Sequence, residues 1–166
     1  MKYIDWLNQW LESYIRPSVK VRTYERYRLI IEQHIKDKIG GIELNDLSPL
    51  VLQQFITVLL QSGNKKTGEG LSANSVNAVI SVIQSSLKTA HLLGLTDEYT
   101  ADKLKRPKLK EKPVECFTLA EQKRIEQAVM NGKKDKLYGI FLCLYSDLRI
   151  REHIALQWSS IRNPSF

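Results

Sequence analysis

The chain has few of the residues that mark secreted or metal-binding proteins. Its two cysteines, Cys116 and Cys143, are far apart and have no Cys or His partner at metal-ligand spacing, so neither a disulfide framework nor a zinc site is predicted. No stretch approaches the roughly 18 to 20 apolar residues of a membrane span. Residues 1–11 mix charged and amide side chains where a signal peptide would be apolar. We expect a cytoplasmic protein that has no metal site and no membrane partner.

General motifs of small-molecule chemistry are also missing. The sequence contains no phosphate loop and no zinc-protease, EF-hand, Rossmann or serine-hydrolase motif, so no cofactor and no small-molecule substrate is predicted. Only five prolines occur in 166 residues, and 43% of the residues are hydrophobic against 26% charged. This balance is typical of a globular chain and excludes wholesale disorder.

Negative charge is scarce relative to positive charge. Lys and Arg outnumber Asp and Glu by 25 to 18, which gives a net charge of +7 and favours polyanionic partners such as nucleic acid. Residues 103–113, KLKRPKLKEKP, contain six Lys or Arg residues and one Glu, and therefore carry +5 of the +7. With two prolines and no apolar periodicity, this segment is predicted to be an extended linker, either a nucleic-acid contact or a solvated tether.

Apolar residues at three- and four-residue steps predict two helices in the first 40 residues. The first helix ends before Pro17, and its predicted buried stripe is Ile4, Leu7, Leu11, Tyr14 and Ile15. Thr23 is predicted to cap a second helix that ends near Gly40. The buried stripe predicted for this second helix is Tyr24, Tyr27, Ile31 and Ile35.

Two further helices are predicted to begin at serine caps. Ser48 followed by Pro49 indicates a helix start, because the hydroxyl accepts from an unpaired amide and proline needs no partner at that position. Ser72 indicates the next start and Gly94 its end. The predicted apolar stripes are Leu52, Phe55, Ile56, Leu59 and Leu60 on the third helix, and Val76, Ile80, Ile83, Leu87 and Ala90 on the fourth. Residues 1 to roughly 100 are therefore predicted to form a small all-α bundle.

Three helices are predicted after the linker. Thr118 and Glu121 have the spacing of a capping box, which predicts a helix to about Met130. Residues 137–145 are strongly apolar and predict a buried helix. Residues 150–158 predict another helix, behind a turn at Asp147.

Residues 144–158, LYSDLRIREHIALQW, resemble the first catalytic-arginine box of the tyrosine recombinase (phage integrase) family, with Arg149 on the arginine. The other cues follow in the family's order: a Tyr-rich helix, an Ile-Gly-Gly connection, a Leu-Ser-Pro helix start, a Leu-Ser-x-x-Ser-Val helix, a basic linker and Phe-Thr-Leu-Ala-Glu. The resemblance implies an all-α chain with a four-helix SAM-like core-binding domain over residues 1–102 and a basic linker over 103–114. Residues 115–166 would then be the truncated helical start of a recombinase catalytic domain.

The resemblance also implies a reaction in which a tyrosine attacks a DNA phosphate that arginines hold. Arginine suits this role because its planar fork donates two parallel hydrogen bonds and stays charged. The family's catalytic lysine, His-x-x-Arg box and nucleophilic tyrosine lie well downstream of the first arginine, whereas 17 residues follow Arg149 here and all seven tyrosines precede it. His153 lacks the arginine of such a box and is predicted to be an ordinary helix histidine. We expect an incomplete active site and a chain that is inactive alone.

Phosphate contacts with duplex DNA are expected at three places. They are Lys20, Arg22, Arg26 and Arg28 on the second helix, Asn74, Ser75 and Asn77 at the start of the fourth, and Lys103, Lys105, Arg106, Lys108 and Lys110 in the linker. A solvated polar face explains any single one of the helix residues equally well. Trp6, Trp10 and Trp158 lie on amphipathic patterns and are predicted to be core or interface anchors rather than base-stacking groups.

Three functions stay open at this point. The first is the DNA-binding portion of a site-specific recombinase from a phage or another mobile element, whether as a cloned fragment, a truncated gene product or a remnant. The second is a stand-alone regulator that occupies recombination sites or joins intact recombinase protomers without performing chemistry. The third is a helical protein-interaction module that has no DNA partner.

Overall fold

The structure is a computed structural model that describes residues 1–65, 67–109, 113, 115–132, 138–146, 148–157 and 159. The chain divides into two compact units, Met1–Glu111 and Lys112–Phe166. Regular structure in the described ranges is helical, apart from a single antiparallel bridge between Lys2 and Glu43. The prediction of an all-α fold is confirmed.

The first unit is built from four α-helices. They are α1 (Tyr3–Trp10), α2 (Val21–Ile30), α3 (Pro49–Ser62) and α4 (Ala73–Leu92). Both α1 and α2 continue into a wider π-helical turn, Leu11–Ile15 and Ile31–Ile35, where the amide of Arg16 donates to the carbonyl of Leu11 and that of Lys36 to Ile31, each at 2.9 Å. Two short 3₁₀ turns, Leu44–Asp46 and Thr100–Lys103, flank the later helices.

Local capping chemistry sets the ends of α3 and α4. The hydroxyl of Ser48 accepts from the amide of Val51 at 3.3 Å, with Pro49 in the first turn, and Ser72 accepts from the amide of Ser75 at 3.2 Å. Gly94 follows α4 with a φ of +70°, a left-handed conformation that glycine adopts without strain. The predicted starts of both helices and the terminating glycine are confirmed.

The core of the first unit gathers around α4. The hydroxyls of Tyr3 and Ser86 are hydrogen-bonded at 2.9 Å, and the Trp6 indole donates to the Ser86 carbonyl at 3.0 Å. Trp10 stacks on Tyr27 with ring centroids 6.0 Å apart. All five residues of the stripe predicted for α4 are buried, namely Val76, Ile80, Ile83, Leu87 and Ala90. The prediction that Trp6 and Trp10 are core anchors is confirmed, because both side chains are 1% exposed; Trp158 lies outside the described residues.

Some details predicted for the first unit are wrong. Thr23 does not cap α2, because the helix already begins at Val21 and the amide of Thr23 donates to the carbonyl of Lys20. Tyr14 is 42% exposed, because the two tryptophans occupy the core face of α1, and its ring is tilted by 51° to that of Trp6, with the centroids 6.2 Å apart. Leu60 is also exposed, at 38%, since Leu59 takes the core position on the last turn of α3.

The second unit contains α5 (Leu119–Asn131), α6 (Tyr138–Tyr145) and α7 (Ile150–Ile154). The predicted capping box is confirmed: the Glu121 amide donates to the Thr118 hydroxyl at 3.3 Å, and the Thr118 amide donates to the Glu121 carboxylate at 2.9 Å. The prediction that α6 is buried is wrong: α6 contacts α5 and α7, but these contacts leave none of its described side chains buried. Four of its large apolar side chains are exposed, namely Tyr138, Ile140, Leu142 and Tyr145. The predicted turn residue Asp147 lies outside the described residues.

Candidate nucleic-acid interface

Residues 103–108, here called the basic strap, are fixed to the first unit by contacts with α3 and α4. The backbone amide of Lys105 donates to Oε1 of Gln53 at 3.0 Å, and Nδ2 of Asn77 donates to the carbonyl of Pro107 at 3.3 Å. The side chain of Leu104 enters the core and is 8% exposed. The strap is extended at Leu104, but it is not a free tether.

The residues just before the strap are fixed in the same way. Nε2 of Gln84 donates to the carbonyl of Ala101 at 3.0 Å, and the hydroxyl of Tyr99 donates to the carbonyl of Gln84 at 3.4 Å. Ala101 is fully buried. The path of the chain toward the strap cations is therefore set by polar groups of α4 together with core packing.

Arg106 is held without being neutralised. Its guanidinium donates to Oε1 of Gln84 at 2.6 Å and to the hydroxyl of Ser81 at 3.3 Å. Both acceptors are uncharged, so the positive charge of Arg106 remains available to an anion. The strap lysines Lys103, Lys105 and Lys108 are exposed and form no ion pair within the described part of the chain. Lys110 lies outside the described residues.

The amino-terminal end of α4 lies beside the strap, since Asn77 in its second turn bonds Pro107. A helix of 20 residues presents a partial positive charge at this end, and its first amides have no carbonyl partner within the helix. Asn74 is exposed there, and the hydroxyls of Ser72 and Ser75 bond each other at 3.0 Å. The structure thus brings together two of the three groups of predicted phosphate contacts, the strap and the start of α4.

The cations of α2 differ among themselves in how freely they face solvent. Arg28 pairs with Glu25 at 2.9 Å and with Glu32 at 3.6 Å, and its hydrogen bond to Glu25 raises the pKa of its guanidinium. Lys20, Arg22 and Arg26 are exposed. Since Arg22 and Arg26 are four residues apart, they share one face of α2. No hydrogen bond or ion pair of the described residues joins these α2 cations to the strap.

Arg149 stands in the second unit, at the residue before α7. Its side chain is 87% exposed, and its guanidinium lies 3.5 Å from the carboxylate of Glu152, which also accepts from the Arg149 backbone amide at 2.7 Å. Nearby, Nε2 of the partly buried His153 is 3.0 Å from the hydroxyl of Ser146. Within the described residues, the only charged partner of Arg149 is therefore an acid of the adjoining helix.

Comparison with known proteins shows what the first unit is similar to. Residues 3–60 match the family described as "Phage integrase, N-terminal SAM-like domain". The amino-terminal unit has a SAM-like fold similar to that of phage integrases, and it is called the SAM-like domain below. The resemblance predicted from the sequence and the predicted SAM-like fold are thereby confirmed. No curated protein sequence matches the chain.

Solved structures extend this finding. The integrase-like domain from Bacillus cereus is 27% identical, with a TM-score of 0.56, and the match covers 69% of this chain and 91% of that one. A lambda integrase dimer bound to a COC′ core site is 16% identical, with a TM-score of 0.80, covering 98% of this chain and 44% of that one. The Tn1549 transposon integrase in complex with circular intermediate DNA is 19% identical, with a TM-score of 0.74, covering 99% and 52%. The chain thus spans about half the length of these two integrases and shares their fold.

Several residues of the SAM-like domain's candidate interface were not apparent from the sequence. Gln53, Ser81 and Gln84 hold the strap, and Asn77, predicted as a phosphate contact, has its amide nitrogen bonded to Pro107 instead. Neutral amides within helices give no local signal of such a role. Their partners lie 17 to 52 residues away in the chain, a distance that helical periodicity does not register.

The described residues match neither the geometry of a metal site nor that of a membrane-spanning helix. They contain no group of three or more His, Cys, Asp or Glu side chains arranged to hold a metal ion. No helix in the described part of the chain is both long and apolar enough to cross a bilayer.

Proposed function

We propose that the SAM-like domain binds duplex DNA mainly through phosphates, and that the chain is the DNA-binding amino-terminal portion of a site-specific tyrosine recombinase. The observation that carries this proposal is the fixing of the strap cations by uncharged partners beside the start of α4. Cations that are positioned but not neutralised can release the counterions condensed on DNA, which drives phosphate binding. The DNA complexes of the lambda and Tn1549 integrases, which share the fold, support the same choice of ligand.

For the second unit, we propose that Arg149 is the first catalytic arginine and that residues 1–166 alone neither cleave nor join DNA. Phosphoryl transfer needs a positioned nucleophile, an acid for the leaving oxygen and several cations that act together. Such sets lose most of their effect when members are missing. The contact between Arg149 and Glu152 supports this proposal, because a guanidinium that faces a carboxylate is not arranged to hold a phosphate.

The binding proposal is tested by titrating a labelled duplex at several salt concentrations. Replacing Lys103, Lys105 and Lys108 together by Gln removes three exposed strap cations. A matched control replaces Lys2, Lys36 and Lys88 by Gln, which removes the same charge from exposed positions elsewhere in the unit. We expect the strap variant to bind at least about tenfold more weakly at low salt, and the slope of log K against log salt to fall by about one for each phosphate that is no longer neutralised. A flat salt response of the unmodified chain, or an equal loss of affinity in both variants, would contradict the proposal.

The catalytic proposal is tested with a suicide duplex that carries a nick beside a candidate site. Denaturing electrophoresis is expected to show no covalent protein–DNA adduct. A reproducible adduct on any of the seven tyrosines would show that a nucleophile is present in these residues and that Arg149 has been assigned to the wrong place.

A further inference from the structure

We propose that Gln53, Asn77 and Gln84 are positioning residues of the interface, whose amide side chains hold residues 101–107 so that the strap cations form a fixed array. The inference rests on the proposed binding of DNA and adds to it the groups that order the binding segment. Each of the three amides bonds a main-chain group of this segment: Gln53 bonds at Lys105, Asn77 at Pro107 and Gln84 at Ala101. None of these bonds involves a charged atom.

The order of these bonds along α4 shows in which direction the segment runs relative to the helix. Asn77 and Gln84 are seven residues apart on α4, which corresponds to two helical turns, about 10.5 Å of rise, on nearly the same face. Asn77 bonds the later residue, Pro107, and Gln84 the earlier one, Ala101. The segment therefore runs antiparallel to α4. Ser81, which bonds Arg106, lies between them on that face, so the side-chain partners on α4 follow the order of the segment in reverse.

The chemistry of amides suits this task better than that of carboxylates. An amide donates to a carbonyl or accepts from an amide without attracting a lysine or arginine side chain as a counterion. A carboxylate at the same positions would pair with Lys105 or Arg106 and compete with phosphate. The Oδ1 atom of Asn77 is buried and has no hydrogen-bond partner. Burying this oxygen without a partner lowers the stability of the folded state, and an apolar side chain at position 77 would avoid that loss.

Holding the segment in place has a consequence for affinity. A free basic segment must be ordered when it binds, and the lost conformational freedom weakens the complex. A strap that is already fixed avoids most of this cost. Releasing it should therefore weaken DNA binding while the number of cations, and hence the salt dependence, stays nearly the same.

The experiment uses uncharged replacements in the full chain. Gln53→Met and Asn77→Leu remove the hydrogen-bonding groups while keeping similar volume, and Gln54→Ala is the control, because Gln54 is an exposed residue of α3 that has no bond to the strap. Circular dichroism verifies folding. Hydrogen exchange of the Lys105 amide reports directly on release of the strap in Gln53→Met, and DNA titration at several salt concentrations gives Kd and the salt slope.

We expect faster exchange at Lys105 in Gln53→Met, and an increase in Kd of about tenfold when both replacements are combined, with an unchanged salt slope. Should the double variant fail to fold, Gln53→Met alone is expected to show the same changes at smaller amplitude. Faster exchange with an unaltered Kd would overturn the positioning role while leaving DNA binding intact. Unchanged exchange would overturn the fixing of the strap, and failure of the unmodified chain to bind DNA would instead overturn the proposed function.

Discussion

Both units place apolar residues at helical spacing, but they bury them to very different extents. Of the 25 buried apolar side chains among the described residues, 24 belong to the core of the SAM-like domain, and the remaining one is Val129. In the second unit, Leu142 is 53% exposed, Ile150 68% and Ile154 80%. The difference shows that an apolar stripe indicates a helix, whereas its burial requires a second surface of matching shape.

The second unit also has an apolar groove that none of its described residues fills. It is lined by α6 and α7 residues that include Ile140, Leu142, Ile150 and Ile154, and it has a volume of about 590 Å³. In the SAM-like domain, the comparable surface of α1 is covered by α4, through contacts such as Trp6 with Ser86. We therefore expect the two units to differ in whether they are stable alone.

The strongest test of this comparison separates the units. Residues 1–111 alone should fold with a cooperative thermal transition, because the core cluster lies entirely within them. Residues 112–166 alone should show low helicity and no cooperative transition, since a chain this short buries too little apolar surface. Far- and near-ultraviolet circular dichroism measures both. A cooperative transition in the second fragment would show that the exposed stripes of α6 and α7 do not limit its stability.

A pair of matched leucine substitutions tests the comparison within the full chain. Leu59→Ala removes a fully buried side chain and should lower the free energy of unfolding by about 2–5 kcal/mol. Leu142→Ala, at a position that is 53% exposed, should change it by less than about 0.5 kcal/mol. Urea unfolding monitored by circular dichroism gives both values. Equal decreases would mean that Leu142 is packed in solution.

The smallest expected effect concerns the capping box of α5. Hydrogen bonds from Thr118 lower the pKa of Glu121, so the ionised carboxylate stabilises the first turn above the pKa of the unfolded chain. That contribution is lost as the pH falls through the lower pKa of the folded state. We expect this turn to fray on acidification, and Glu121→Gln to remove the pH dependence. Chemical shifts of the Thr118 amide measured against pH report on both forms, and an identical titration in Glu121→Gln would assign the change to another group.

Much of the SAM-like domain could be predicted because its signals are local. The caps Ser48 and Ser72 and the terminating Gly94 act within a few residues of where they stand, and the structure places all three as expected. The prediction for Thr23 was wrong for a related reason. A threonine near a helix start resembles a cap, but the chain had already entered the helix at Val21.

The features that could not be predicted depend on distant partners. The strap has the composition of a linker, and its fixing by Gln53 joins residues 52 apart. The exposure of α6 has the same origin, since the apolar residues of 138–145 indicate burial without indicating what would cover them. For the strap and for α6, the missing information is tertiary. The contact of Arg149 with Glu152 is different, because the two residues are three apart and the pair is local.

The hydrogen bond between Tyr3 and Ser86 joins residues that are 83 apart, which affects the order of events during synthesis. At about 5–20 residues per second, a ribosome makes α4 on the order of 4–16 s after α1. Throughout that time Trp6 and Trp10 have no surface of α4 to pack against. We therefore expect α1 to be the part of the domain most open to chaperones while the nascent chain grows, and the domain to close late, once the whole of α4 has emerged.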